Sequence, residues 1–196
     1  MRIAPVLPFL VLVVIAAPAF ASYGSKPSLP EPAATGTTDA REAGGTLTPR
    51  QQAERYYRDA YDDVTKGSKD LASGKPGPAR KKFARALDHS REAVELDSTY
   101  HEAWNLVGFT SRQLHDYPGS FAAYRVALRL KPDFALAREY YGEGLLETGD
   151  LAGALEQLAW LRKLGDAEEL ADLQGAVDRY RAAHPDANAT TTSATP

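Results

Sequence analysis

Three glutamates four residues apart, Glu139, Glu143 and Glu147, and four histidines, His89, His101, His115 and His184, are the side chains best suited to acid–base, metal or ion-pair chemistry. The histidines share no metal-ligand spacing, and none opens an H-E-x-x-H helix motif. They are read as surface or turn residues, with no metal and no cofactor expected. The chain has no cysteine, which removes disulfides, thiol catalysis, haem attachment and cysteine-held zinc or iron–sulfur sites. "YGEG" at 141–144 holds glycines two apart, but it lies inside a helical pattern with no strand before it, so it is not a phosphate loop. No Ser/His/Asp or paired-carboxylate arrangement can be assembled from spacing. The expectation is a protein without catalytic activity; a hydrolase or glycan-binding enzyme is the alternative of another class. Residues at i, i+4 and i+8 stand in line on one helix face, and like charges so placed cost about 0.2–0.5 kcal/mol per pair. Two readings of the acidic row stay open: a solvated helix face, or a surface that meets positive charge on a partner.

The elements that must carry these residues occupy only part of the chain. Its 196 residues, 43% hydrophobic and 25% charged, suit one folded domain with tails. A formal charge of −3 shows no excess of cations for a phosphate backbone, so nucleic acid is not an expected partner. At the start, Arg2 precedes the apolar run Phe9 to Ala17, and Ala19 and Ala21 supply an A-x-A cleavage pattern, so residues 1–21 read as a signal peptide cleaved after Ala21. Pro5, Pro8 and Pro18 interrupt the run of roughly 20 apolar residues a membrane-spanning helix needs. The expectation is export to a periplasm or the outside, with no stable membrane span after cleavage. Residues 22–48 are dense in Pro, Gly, Thr and Ala and read as a disordered linker, as do 186–196 at the other end, where Asn188-Ala189-Thr190 is a chance glycosylation pattern. Folding is expected over 49–185.

Inside that span the sequence repeats itself at a spacing of 34: Gly108 recurs as Gly142, Asp116 as Asp150, Phe121 as Leu155, Leu130 as Leu164. Two helical segments per period of this length are the signature of a helix–turn–helix solenoid. The unit 101–134, with Trp104, Val107, Gly108, Tyr117, Ser120, Tyr124, Ala127 and Pro132, resembles the tetratricopeptide repeat family. The unit 135–168 follows with Tyr141, Gly142, Leu145, Asp150, Ala154 and Leu158, but has Arg138 for the tryptophan and Asp166 for the proline. A unit over about 49–100 reads as degenerate, keeping its second helix through Phe83, Ala86, Ala93 and Leu96. The fold class expected is all-α, an α-solenoid of stacked hairpins with about seven helices, ending in a cap helix over about 167–183. Gly108 and Gly142 are read as the close crossings within hairpins, with small Ser120 and Ala154 facing them.

Thr48, Pro49 and Gln51 form a capping-box pattern that starts the first helix at about 49. Further helices are expected at about 79–95, 101–114, 118–130, 135–147 and 151–163, and Asp166 with Glu169 reads as a second capping box. Tyr56, Tyr57, Tyr61, Tyr100, Tyr117, Tyr124, Tyr140 and Tyr141 are assigned mostly to core columns; Trp160 fits none.

The resemblance implies a concave groove lined by the first helix of each unit. On this sequence its positions are Glu102, Asn105, Phe109, Arg112 and Gln113, then Leu136, Glu139, Glu143, Leu146 and Glu147. An acidic row with an apolar margin suits a basic or amphipathic peptide. The lysine–asparagine–arginine clamp by which some family members hold a C-terminal carboxylate is missing, since Arg112 stands alone among these places as a cation. The function expected is a peptide- or protein-binding scaffold of the cell envelope. Its rival is an envelope assembly factor that associates with itself through convex or terminal surfaces.

Overall fold

A computed structural model describes residues 46–186. The signal peptide read over 1–21, all but the last residues of the linker and the tail from 187 lie outside the described residues. Among the described residues seven helices follow one another: α1 Pro49–Ala72, α2 Pro76–Leu96, α3 His101–Gln113, α4 Tyr117–Leu130, α5 Ala135–Glu147, α6 Leu151–Leu164 and α7 Ala167–Ala183. Neighbours in sequence pack as hairpins, α1 on α2, α3 on α4 and α5 on α6; α2 and α4 carry the stack forward onto α3 and α5, and α7 closes it against α5 and α6. The protein is an all-α, tetratricopeptide-like solenoid.

Local chemistry starts and stops these helices. The Gln51 N–H donates to Thr48 Oγ1 at 3.2 Å and the Thr48 N–H donates to Gln51 Oε1 at 2.9 Å, so the box at α1 closes in both directions. At α7 the second box does not form, because the Asp166 side chain makes no capping bond. The acidic caps are elsewhere: Asp116 accepts from the Gly119 N–H at 3.1 Å and Asp150 from the Gly153 N–H at 2.8 Å, at equivalent places of α4 and α6. Arg138 shows why the tryptophan column tolerates replacement. Trp104 Nε1 donates to the Ser98 carbonyl at 2.9 Å, and Arg138 Nη2 donates to the Pro132 carbonyl at 2.6 Å. Each pins the loop six residues before it.

The first unit, read as degenerate, is a hairpin of α1 and α2 with a close crossing of its own. Gly67 precedes Phe83 by the same interval that separates Gly108 from Tyr124, and a Cβ on either glycine would meet that ring, at 3.0 Å and 2.6 Å respectively. What hid α1 from a 34-residue period is length: α2 has 21 residues against 14 in α4 and in α6, two extra turns that shift every column on the turn side. Gly142 also does something other than expected. Its nearest neighbour is Leu173 of α7, 2.6 Å from a would-be Cβ, so it makes room for the cap helix and not for its own hairpin partner.

Close packing of this kind is testable. Tyr124 is fully buried, so its ring has nowhere to retreat. Gly108→Leu is expected to lower stability by about 1–3 kcal/mol through overpacking, read as a fall in the urea midpoint at unchanged slope. An unchanged midpoint would mean the crossing is slack.

Candidate functional site

The ten residues expected to line a groove come from α3 and α5, the two helices enclosed by others on most sides. Nine of the 13 residues of α3 and 11 of the 13 of α5 are buried, so their polar side chains sit inside the stack. The acidic row is therefore not a solvated face. Glu139 and Glu143 are 0% and 2% exposed, and Glu147 is half-buried at the far end of the helix. Phe109, Leu136 and Leu146 belong to the hydrophobic core, Phe109 lying between Phe83 and Tyr140 with ring centroids 6.3 and 5.1 Å away. Glu102 and Gln113 stay half-exposed at the rim, where Glu102 Oε2 is 3.1 Å from His101 Nδ1.

Arg112 of α3 organises the interior. Its Nη1 donates to Glu143 Oε2 at 2.8 Å, stands 3.7 Å from Glu147 Oε1 and reaches the Tyr140 carbonyl at 3.4 Å. The guanidinium also lies over the Phe109 and Tyr140 rings, 5.7 and 5.6 Å from their centroids. Burial disfavours the cation, but Glu143, Tyr124 and Glu147 more than offset it and raise its pKa. Arg112 is a fixed positive charge in a dry setting.

Glu139 lies one turn from that ion pair and has no share in it. Neither carboxylate oxygen has a hydrogen-bond partner among the described residues. Burial, then the charges of Glu143 and Asp172, push its pKa up to about 9, with Arg112 opposing and Glu169 adding. Asn105 holds the equivalent place one repeat earlier on α3. It too is 0% exposed, and neither its amide oxygen nor its nitrogen is paired among the described residues. Glu147 is raised as well, chiefly by burial, with Arg112 and the Tyr117 hydroxyl pulling the other way.

Asp172 and Glu169 of α7, Tyr124 and Tyr117 were not legible as members of this cluster, since they reach Glu139, Arg112 and Glu147 from other helices; only the 34-residue spacing of Asn105 and Glu139 was a usable signal. The four histidines do not meet. His89 sits 3.7 Å from Asp63, His101 edge-on to Phe134, His115 in the turn before α4 at φ 65°, and the His184 ring stacks on Tyr180 at 4.2 Å. Among the described residues no group of three or more His, Asp or Glu could hold a metal ion, and no helix is long and apolar enough to cross a membrane. Trp160 is 44% exposed and carries Arg138 and Lys163 on its ring, at 4.2 and 5.1 Å from the centroid.

No family model matches the chain. It is 29% identical over 127 residues to Protein FlbA of Caulobacter vibrioides, an alignment spanning 61% of this chain and 20% of that protein. Among solved structures it is similar to the C-terminal TPR-containing domain of a Plasmodium falciparum FK506-binding protein, with a TM-score of 0.41 and 16% identity over 68% of this chain and 96% of that one.

Proposed function

We propose that this protein is a non-catalytic interaction scaffold of the cell envelope that takes a protein segment, basic or amphipathic, along the face carried by the first helices α3 and α5. The observation that supports the reading is the pair Asn105 and Glu139. These fully buried polar side chains recur 34 residues apart and lack partners among the described residues. An unmet buried polar group costs about 1–3 kcal/mol; both side chains are 0% exposed, so a segment offering N–H and C=O groups recovers that cost only where α3 and α5 part to admit it. The acidic rim of Glu102 and Glu147 favours a basic sequence. Envelope location rests on residues 1–21, whose charged start, apolar centre and Ala19/Ala21 pattern fit an export signal.

Self-association is the second reading, favoured by one feature, the exposed Trp160 face on α6. Affinity capture from envelope extract with the full chain separates the two, beside a chain carrying Asn105→Ala and Glu139→Gln. These substitutions keep the interior volume or reduce it slightly, and circular dichroism checks that both chains fold. A partner held by the native chain and lost by the variant is the expected result. Equal capture by both, with loss on Trp160→Ala, would transfer the binding to the α6 face.

A further inference from the structure

The two extra turns that lengthen the first hairpin also change its charge. Of the 23 basic side chains, seven fall between Lys66 and Arg85, a stretch that holds Asp70 alone among the 26 acidic residues. Lys82 is tied to Asp70, Arg85 to Asp63, and Lys66 lies 3.7 Å from Asp62. Lys69, Lys75, Arg80 and Lys81 are exposed and have no ion-pair partner among the described residues. They surround the Ser73–Lys75 turn, beyond the Gly67–Phe83 crossing, where every residue from Leu71 to Pro78 is exposed. Leu71, one of three large hydrophobic side chains left in water among the described residues, sits here at 37% exposure.

We propose that this hairpin tip docks on an anionic lipid surface. The placement favours a flat partner: the cations lie around an exposed hairpin tip, and the seven additional residues of α2 carry that end about 10 Å beyond the other hairpin turns. That distance is close to the Debye length of about 8 Å in physiological salt. The acidic remainder of a chain with net charge −3 is thereby screened from a surface the tip touches. A nucleic acid would be served less well, because the stretch 66–85 offers no exposed aromatic ring for a base to stack on; its one aromatic, Phe83, is buried. Leu71 beside Ala72 and Pro76 gives the tip a small apolar point to enter the headgroup layer while the lysines stay among the phosphates.

The test is co-sedimentation of the full chain with phosphatidylcholine vesicles, with and without phosphatidylglycerol, at low and high salt. A variant with Lys69→Ala, Lys75→Ala and Lys81→Ala is run beside it. None of the three is paired or buried, so the variant keeps the fold, and the apolar stretch Phe9 to Ala17 is common to both chains. The native chain is expected to partition onto phosphatidylglycerol vesicles in a salt-sensitive way, and the variant to lose on the order of 100-fold of that partition. Leu71→Ser is expected to weaken it further at high salt. Equal partition of native and variant chains would overturn the proposal. So would tighter, equally lysine-dependent binding to a DNA oligonucleotide than to the vesicles.

Discussion

Arg112→Leu is expected to lower the stability of the domain by about 3–5 kcal/mol, the cost of removing one member of a buried ion pair and leaving the other uncompensated. The side chain is 3% exposed and is the cation that Glu143 and Glu147 meet, so its loss takes the nearest positive charge from both carboxylates. Against a total stability of about 5–15 kcal/mol for an ordinary domain, that is enough to unfold a large fraction of the chains at 37 °C. The double variant Arg112→Leu with Glu143→Leu should recover much of the loss, because replacing a whole buried pair by apolar groups is often close to neutral. Urea midpoints of native, single and double variants form the cycle. A single variant as stable as the native chain would show that the Arg112 pair contributes nothing.

Glu139→Gln is expected to do the opposite and stabilise the protein at neutral and alkaline pH. The folded-state pKa of Glu139 is about 9 against an ordinary 4.5, so the folded protein holds a proton that the unfolded chain releases. The stability linked to that proton is fully present below about pH 4.5 and is lost as pH rises toward 9, at about 1.4 kcal/mol per pH unit. At pH 7 the native chain has lost roughly 3 kcal/mol of it, which the amide does not lose. Glu143, Asp172 and Glu169 face the same carboxylate and push in the same direction, whereas Arg112 opposes them. Asp63 and Asp97 act with the other sign: hydrogen bonds from Arg85 and Thr99 lower them, so their contribution is present above their ordinary range and is lost in stronger acid. The difference between the native chain and the Glu139→Gln variant should therefore be small at pH 5 and large at pH 8. If the two urea midpoints keep a constant separation between those pH values, Glu139 is not protonated in the folded protein.

Much of the architecture was legible because it depends on contacts close in sequence. The capping box at Thr48, the stop at Pro132 and the hairpins 101–130 and 135–164 follow from capping chemistry and a 3.6-residue period, which a helix reads within a few turns. The column of small residues at Gly108 was legible too, since only a glycine admits the Tyr124 ring at that distance. Two features escaped the periodic reading. The crossing of the first hairpin was hidden by two inserted turns, which moved Gly67 and Phe83 out of the 34-residue register. Gly142 carries the mark of a hairpin crossing, but its neighbour Leu173 arrives from the cap helix.

The sequence by itself determined that this is a helical repeat protein, where most helices begin and end, and that three carboxylates line up on α5. Only the tertiary structure decided what those carboxylates are. Periodicity places residues on a face of one helix, but whether that face meets water depends on helices that come from elsewhere in the chain. Here α3 and α7 flank α5, so the row became a buried Arg112 pair beside a protonated Glu139. The charges at the tip of the first hairpin followed the reverse course. They were visible in the composition of 66–85, but they became a single exposed crown only because α1 and α2 extend past the rest of the stack, where no neighbouring helix covers them.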